Sequence, residues 1–332
     1  MATYEKRGDA WRVKIRKGGV SLSESGFRTK REAKAWAVKK EAEISAQAAG
    51  LIPDKTFGEL LARYAEEVSP RKRGERAEQM RIALYQREFP VLMAVKLASL
   101  SNHHFSDWRD QRLKMVSAAS VRREWALLQH ALNIAVKEWG WIKSSPLDSL
   151  TKPAAAKART RRPTDLESEA ILLATGYHHE MPPFLMTARV GAAWLFAIET
   201  GMRASEICGL TRESIDFDRR LAHLAMTKNG HARDVPLSVE AVRLLRQVME
   251  AVPDGPVFGL RPSLLDSLFR KAKAQALIED LHFHDSRREA LTRLAKKVDV
   301  MTLAKISGHR DLRILQNTYY APDMADVVAL LD

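Results

Sequence analysis

Cysteine is almost absent: Cys208 is the only one in 332 residues. A lone thiol excludes a disulfide framework and zinc sites built on paired cysteines, and its expected place is as a small buried side chain on a helix. Long apolar runs are missing too. A membrane span needs roughly 18 apolar residues in a row, and the longest candidate, Val190 to Ile198, is far shorter and reads as core. Behind Met1 come Thr3, Tyr4, Glu5 and Lys6 with no apolar stretch, so no secretory leader and a cytoplasmic location are expected. Acid is in deficit, with 41 Asp and Glu against 54 Lys and Arg, a net charge of +13. That surplus favours a polyanionic partner, nucleic acid first, because each phosphate neutralised releases counterions. Charge alone does not exclude a basic protein without such a partner.

What is present is the composition of a soluble globular protein, 45% hydrophobic and 29% charged, in a chain long enough for two or three domains. Near the start, Trp11, Val13 and Ile15 alternate with Arg12, Lys14 and Arg16, the period of a half-buried strand with one cationic face. A second strand is expected up to Phe27. Thr29 and Glu32 have capping-box spacing ahead of a helix whose stripe is Ala33, Trp36, Ala37 and Ile44. The cationic strand face either enters a DNA groove or is a plain solvated face.

From Thr56 to about Leu150 the pattern is helical. It opens on a second capping box, Thr56 and Glu59, and its longest helix is expected from Ser120 to Trp139. Arg71, Lys72, Arg73 and Arg76 cluster at a helix start, as a DNA-facing patch or a solvated charge run. Residues 151–164 carry five basic residues and no acid between prolines, the composition of a linker that either lies along a DNA backbone or is a solvated tether. Beyond it helices dominate, interrupted at Arg220 to Ser238 by two strand-like stretches around Asn229-Gly230. That is a hairpin signal with Lys228 near its tip.

Two arginines in this last segment fall where charge is costly. Counting back four from Leu291 along the stripe Leu291, Leu294, Ala295, Val298 puts Arg287 on the buried face, with His284 three residues earlier. An inward guanidinium needs a partner, either a structural carboxylate or a substrate phosphate. Arg203 follows Gly201 at a turn into a new helix, where Glu206 or a bound anion can hold it. In the final stretch, with Asp311 capping a helix, Leu312 and Leu315 define its inner face. Tyr319 lies four residues past Leu315, and Tyr320 is turned about 100° further round.

In order these residues are Arg203, Lys228 on a hairpin, His284-x-x-Arg287, His309 after Gly308, and the pair Tyr319-Tyr320. The set resembles the tyrosine recombinases, whose pattern is Arg, a hairpin Lys, His-x-x-Arg, Gly-His and Tyr; "TKNGHARDVPLS" and "LHFHDSRREA" look most like phage-type integrases and shufflon invertases. The resemblance implies a mainly α fold with small β-sheets (α+β). Its expected parts are an arm-type DNA-binding sheet and helix (residues 1–50), a helical, SAM-like core-binding domain (54–150), the basic linker (151–164) and a mixed α/β catalytic domain (165–332). It also implies a tyrosine nucleophile that forms a 3′-phosphotyrosyl bond, without cofactor or metal. Arg203 and Arg287 would hold the phosphate, Lys228 would protonate the leaving 5′-oxygen, His284 would take the tyrosine proton, and His309 would hold a phosphate oxygen. Expected partners are double-stranded DNA at core and arm attachment sites, three further copies in a homotetramer, and possible help from a DNA-bending host factor and an excision factor.

Two departures stand out. Ser286 and Arg288 replace the leucine and second histidine of the common His-x-Leu-Arg-His, so Arg288 adds a cation. The usual tyrosine position, nine residues past the Gly-His histidine, holds Thr318. Alignment to the family's ending selects Tyr319 with one residue inserted, leaving Tyr320 second and, third, a misplaced pair in which neither reacts. A type IB topoisomerase would use the same nucleophile, but the arm-like segment argues against it; the full residue set argues against a non-catalytic DNA-binding regulator.

Overall fold

The computed structural model describes residues 2–17, 20–48, 52–155, 159–225 and 232–320. The chain forms two compact units, Met1–Ala158 and Arg159–Asp332.

The first unit opens with an antiparallel sheet in the order β1 (Ala2–Arg7), β2 (Ala10–Lys17), β3 (Val20–Phe27), backed by α1 (Lys30–Ala48). Val13 and Ile15 pack against Ala33, Ala37 and Ile44, so the alternation in β2 does divide a buried face from a cationic one. Strand β1 is additional to the expected pair; its sequence alternates weakly, and its place is set by pairing with β2 across the turn at Gly8. On the outer face Arg12 Nε donates to Ser23 Oγ at 2.9 Å and Lys14 pairs with Glu5 at 3.1 Å.

Five helices follow: α2 (Phe57–Glu67), α3 (Glu75–Glu88), α4 (Pro90–Ala94), α5 (Asn102–Met115) and α6 (Ala118–Lys137). The Thr56 and Glu59 capping box is present. Helix α6 starts two residues before its expected position because Ser117 caps it, accepting from the Ser120 amide. Tyr64, Trp108 and Trp125 fill the core, and a buried Arg112 forks onto Glu124 at 2.8 and 2.9 Å.

In the second unit α8 (Met186–Thr200) is buried along most of its length, and α7 (Asp165–Thr175), α10 (Val239–Ala251), α11 (Pro262–Gln275) and α12 (Asp285–Ala295) pack on it. Between α8 and α10 lie the short α9 (Ala204–Cys208) and an antiparallel sheet, β4 (Ile215–Asp216), β5 (Leu221–Leu224) and β6 (Arg233–Pro236). Helices α13 (Val300–Ser307) and α14 (Leu312–Tyr319) close the described chain, with Leu303, Ala304 and Leu315 packed on Leu291. The architecture is mainly helical with small sheets, as expected. Cys208 is buried in α9, where desolvation pushes its thiol up to about 11. Among the described residues no helix is long and apolar enough to cross a membrane.

The end of the basic stretch is neither a free tether nor a row of unengaged cations. Arg159 bonds Asp280 and Asp285, Arg161 bonds Glu167, and Arg162 bonds Glu289 at 2.7 Å. Asp285 and Glu289, both buried, lie on α12, so Arg159 and Arg162 fasten this stretch to the helix that carries Arg287.

Candidate active site

Helix α8 ends at Gly201, whose φ of +65° reverses the chain without strain. A side chain there would meet Leu291 Cδ2 at 3.2 Å, so the glycine also permits the close approach of α12. Arg203 then caps α9: its amide donates to Glu206 Oε2 and its Nη1 to Oε1, each at 2.8 Å. From β6, Arg233 reaches the same carboxylate with Nη1 and Nη2 at 2.9 and 2.7 Å, and its Nε donates to the Ile306 carbonyl at 2.8 Å. Burial alone would raise the Glu206 pKa; the bonds from Arg233 and Arg203 outweigh it and hold the carboxyl at about 2.

Arg287 projects from the first turn of α12 into the interior, 3% exposed. Its Nη1 donates to the Gly201 carbonyl and its Nη2 to the Ser307 carbonyl at 2.6 Å. Among the described residues no carboxylate lies within ion-pair distance of it. Burial first, then the neighbouring Arg203 and Arg233, press its pKa down to about 10, with Glu206 opposing only in part. Arg203 and Arg233 thus converge on one carboxylate with Arg287 close by and unpaired to it, and the surplus positive charge is desolvated. An anion entering here is attracted in a medium of low effective dielectric.

Helix α13 ends at Gly308, φ +71°, packed so closely on Arg233 that a Cβ would meet its Cδ at 3.3 Å. The turn delivers His309, whose Nδ1 shares a 2.7 Å hydrogen bond with Ser307 Oγ. Burial, then Arg287, Arg203, Arg233 and His284, lower this imidazole to about 4, so it is neutral near pH 7. His284, exposed at the start of α12, is close enough to act on it.

Asp311 caps α14, accepting from the Arg313 amide, and Leu315 is buried. Tyr319 lies on the same face as Leu315. Desolvation raises its phenol pKa, while Arg288 and Arg287 pull it back down. Tyr320 follows the helix, and its hydroxyl donates to the Val298 carbonyl at 2.5 Å.

The structure therefore gathers Arg203, His284, Arg287, His309 and Tyr319 in one region of the second unit. Lys228, expected from the sequence near a hairpin tip, lies outside the described residues. The sequence reading missed Arg233, although it alternates with Val235 in β6 and with Leu237 just past the strand's end, both buried. Of the DNA-binding candidates in the first unit, Arg71, Arg73 and Arg76 are exposed. Lys72 instead turns to Glu78 at 2.9 Å and to the Tyr64 hydroxyl. No three His, Cys, Asp or Glu side chains among the described residues are grouped as a metal would require, His282 and His284 included.

Comparison with known proteins fits this arrangement. The model of the Phage integrase family matches residues 179–326. A Haemophilus influenzae protein carrying the name integrase/recombinase is 47% identical over 332 residues, 98% of this chain and 89% of its own. The chain belongs to the phage integrase family of tyrosine recombinases. The shufflon-specific DNA recombinase of Escherichia coli is another relative of this integrase-family chain, 35% identical over 275 residues, 80% of this chain and 69% of its own. Both kinds of relative singled out from the sequence motifs, integrases and shufflon recombinases, are thus found. Among solved structures, a lambda integrase tetramer bound to a Holliday junction shares the fold. Its TM-score is 0.67 at 16% identity, over 95% of this chain and 96% of that one.

Proposed function

We propose that Tyr319 is the nucleophile of a site-specific recombination reaction in which this chain cuts and rejoins DNA to integrate or excise a mobile element such as a prophage. The observation that carries the reading is the buried charge of Arg287, without a carboxylate partner among the described residues, beside Arg203 and facing the same region as Tyr319. Two forked guanidiniums that stay protonated suit a phosphorane with charge spread over its oxygens. Tyr319 Oη attacks phosphorus and its proton passes to His284. The P–O5′ bond breaks, and the leaving oxygen takes a proton from Lys228. His309 faces a phosphate oxygen. The phosphotyrosyl bond conserves the energy of the broken linkage, so attack by a partner strand's 5′-hydroxyl reverses the step without ATP or metal.

On this reading residues 1–50 bind arm-type sites through Arg12, Lys14 and Arg16. Residues 54–150 bind core sites through Arg71, Arg73 and Arg76, with Lys72 acting more through its internal bonds, and residues 151–164 join them to the catalytic domain at 165–332. Four copies would assemble on two duplexes in the cytoplasm, on the nucleoid, with a DNA-bending host factor and an excision factor as candidate partners.

The test is a nicked suicide substrate bearing the cognate core site. Wild type should form a protease-sensitive covalent adduct that Tyr319→Phe lacks. Absence of an adduct from wild type on a site it demonstrably binds would overturn the catalytic reading.

A further inference from the structure

Arg288 directly follows the buried Arg287. It is half-buried on α12, and its guanidinium carbon lies 5.7 Å from the centre of the Tyr319 ring on α14. A cation over an aromatic face is attracted to the ring, and more strongly once the ring carries phenolate charge. The elements packed against Tyr319 supply little else of that kind. Helix α13 presents Leu303 and Ala304, α12 contributes Leu291, and the charged groups acting on the phenol are Arg288 and Arg287, both from α12. Arg287 is committed to the Gly201 and Ser307 carbonyls; among the described residues no such bond occupies the Arg288 side chain.

We propose that Arg288 is a positioning residue for the nucleophile: its guanidinium holds the Tyr319 ring against α12 and stabilises the negative charge that develops on the phenol oxygen during attack. The inference rests on Tyr319 being the nucleophile. The planar guanidinium both stacks and carries charge, whereas lysine would supply charge alone.

The test measures single-turnover adduct formation on the suicide substrate between pH 6 and 10, together with DNA affinity and thermal stability, for wild type, Arg288→Gln and Arg288→Lys. Arg288→Gln should cut about three- to thirtyfold more slowly at neutral pH, with the midpoint of its pH profile moved up by roughly one pH unit and DNA affinity unchanged. Arg288→Lys should restore the midpoint while recovering only part of the rate. A wild-type rate and profile in Arg288→Gln overturns the proposal. So does a fall in rate shared by both variants with the midpoint unmoved, which would make Arg288 a packing residue. A loss confined to DNA affinity overturns it as well and makes the residue a DNA contact. Wild type that forms no adduct refutes the nucleophile assignment instead, so the two failures are distinct.

Discussion

The hydroxyl of Tyr320 donates to the carbonyl oxygen of Val298 at 2.5 Å, tying the end of α14 to the segment between α12 and α13. Tyr319, one residue earlier, faces Arg287 and Arg288 instead. Adjacent tyrosines are thus divided by their surroundings into one anchored to backbone and one turned toward guanidiniums. Tyr320→Phe should keep adduct formation. It should lose about 1 kcal/mol of stability for the missing hydrogen bond, seen as a drop in Tm of roughly 2–4 °C. A folded Tyr320→Phe protein that forms no adduct would reassign the nucleophile.

Glu206 serves two arginines at once, and its side chain is 6% exposed. Removing its charge leaves Arg203 and Arg233 close together without a counterion, in the interior. Glu206→Gln should therefore destabilise the protein by about 3–5 kcal/mol, the usual consequence of breaking a buried pair from one side. Urea denaturation reads this as a lower midpoint with little change in slope. An unmoved midpoint would show that the two guanidiniums find other partners when the carboxylate is gone.

Much of the site was legible because it is written in local periods. Arg287 is found by counting back from Leu291, and Tyr319 by counting on from Leu315, since helical neighbours recur every three or four residues. The capping residues Thr29, Thr56 and Asp311 were legible for the same reason. The rest depends on partners distant in sequence. Arg159 and Arg162 meet Asp285 and Glu289 across 126 and 127 residues, so their composition reads as a linker although their ends are fastened. Arg233 meets Glu206 across 27 residues, and Tyr320 meets Val298 across 22. No local pattern announces such pairs, and only the alternation of Arg233 with Val235 and Leu237 gives a hint.

The depressed basicity of His309 links folding to pH with a definite sign. An unfolded histidine has a pKa of about 6.5, whereas in the folded protein burial and then the surrounding arginines hold this one at about 4. Below pH 6.5 the unfolded chain takes up a proton that the folded chain refuses, so stability is fully present above that pH and is lost as pH falls toward 4. His309→Gln removes the titrating group. Its Tm should fall less than that of wild type between pH 6.5 and 4, and the difference between the two curves should be constant above pH 7. Glu206 does not confuse the comparison, because its loss begins only below about pH 4.3 and is common to both proteins. A phosphate bound beside Arg203 and Arg287 would favour the imidazolium, so a core-site duplex should bind with proton uptake between pH 4 and 6.5, measurable as a buffer-dependent heat of binding. Parallel Tm curves for the two proteins would mean that His309 is not held neutral by the guanidiniums around it.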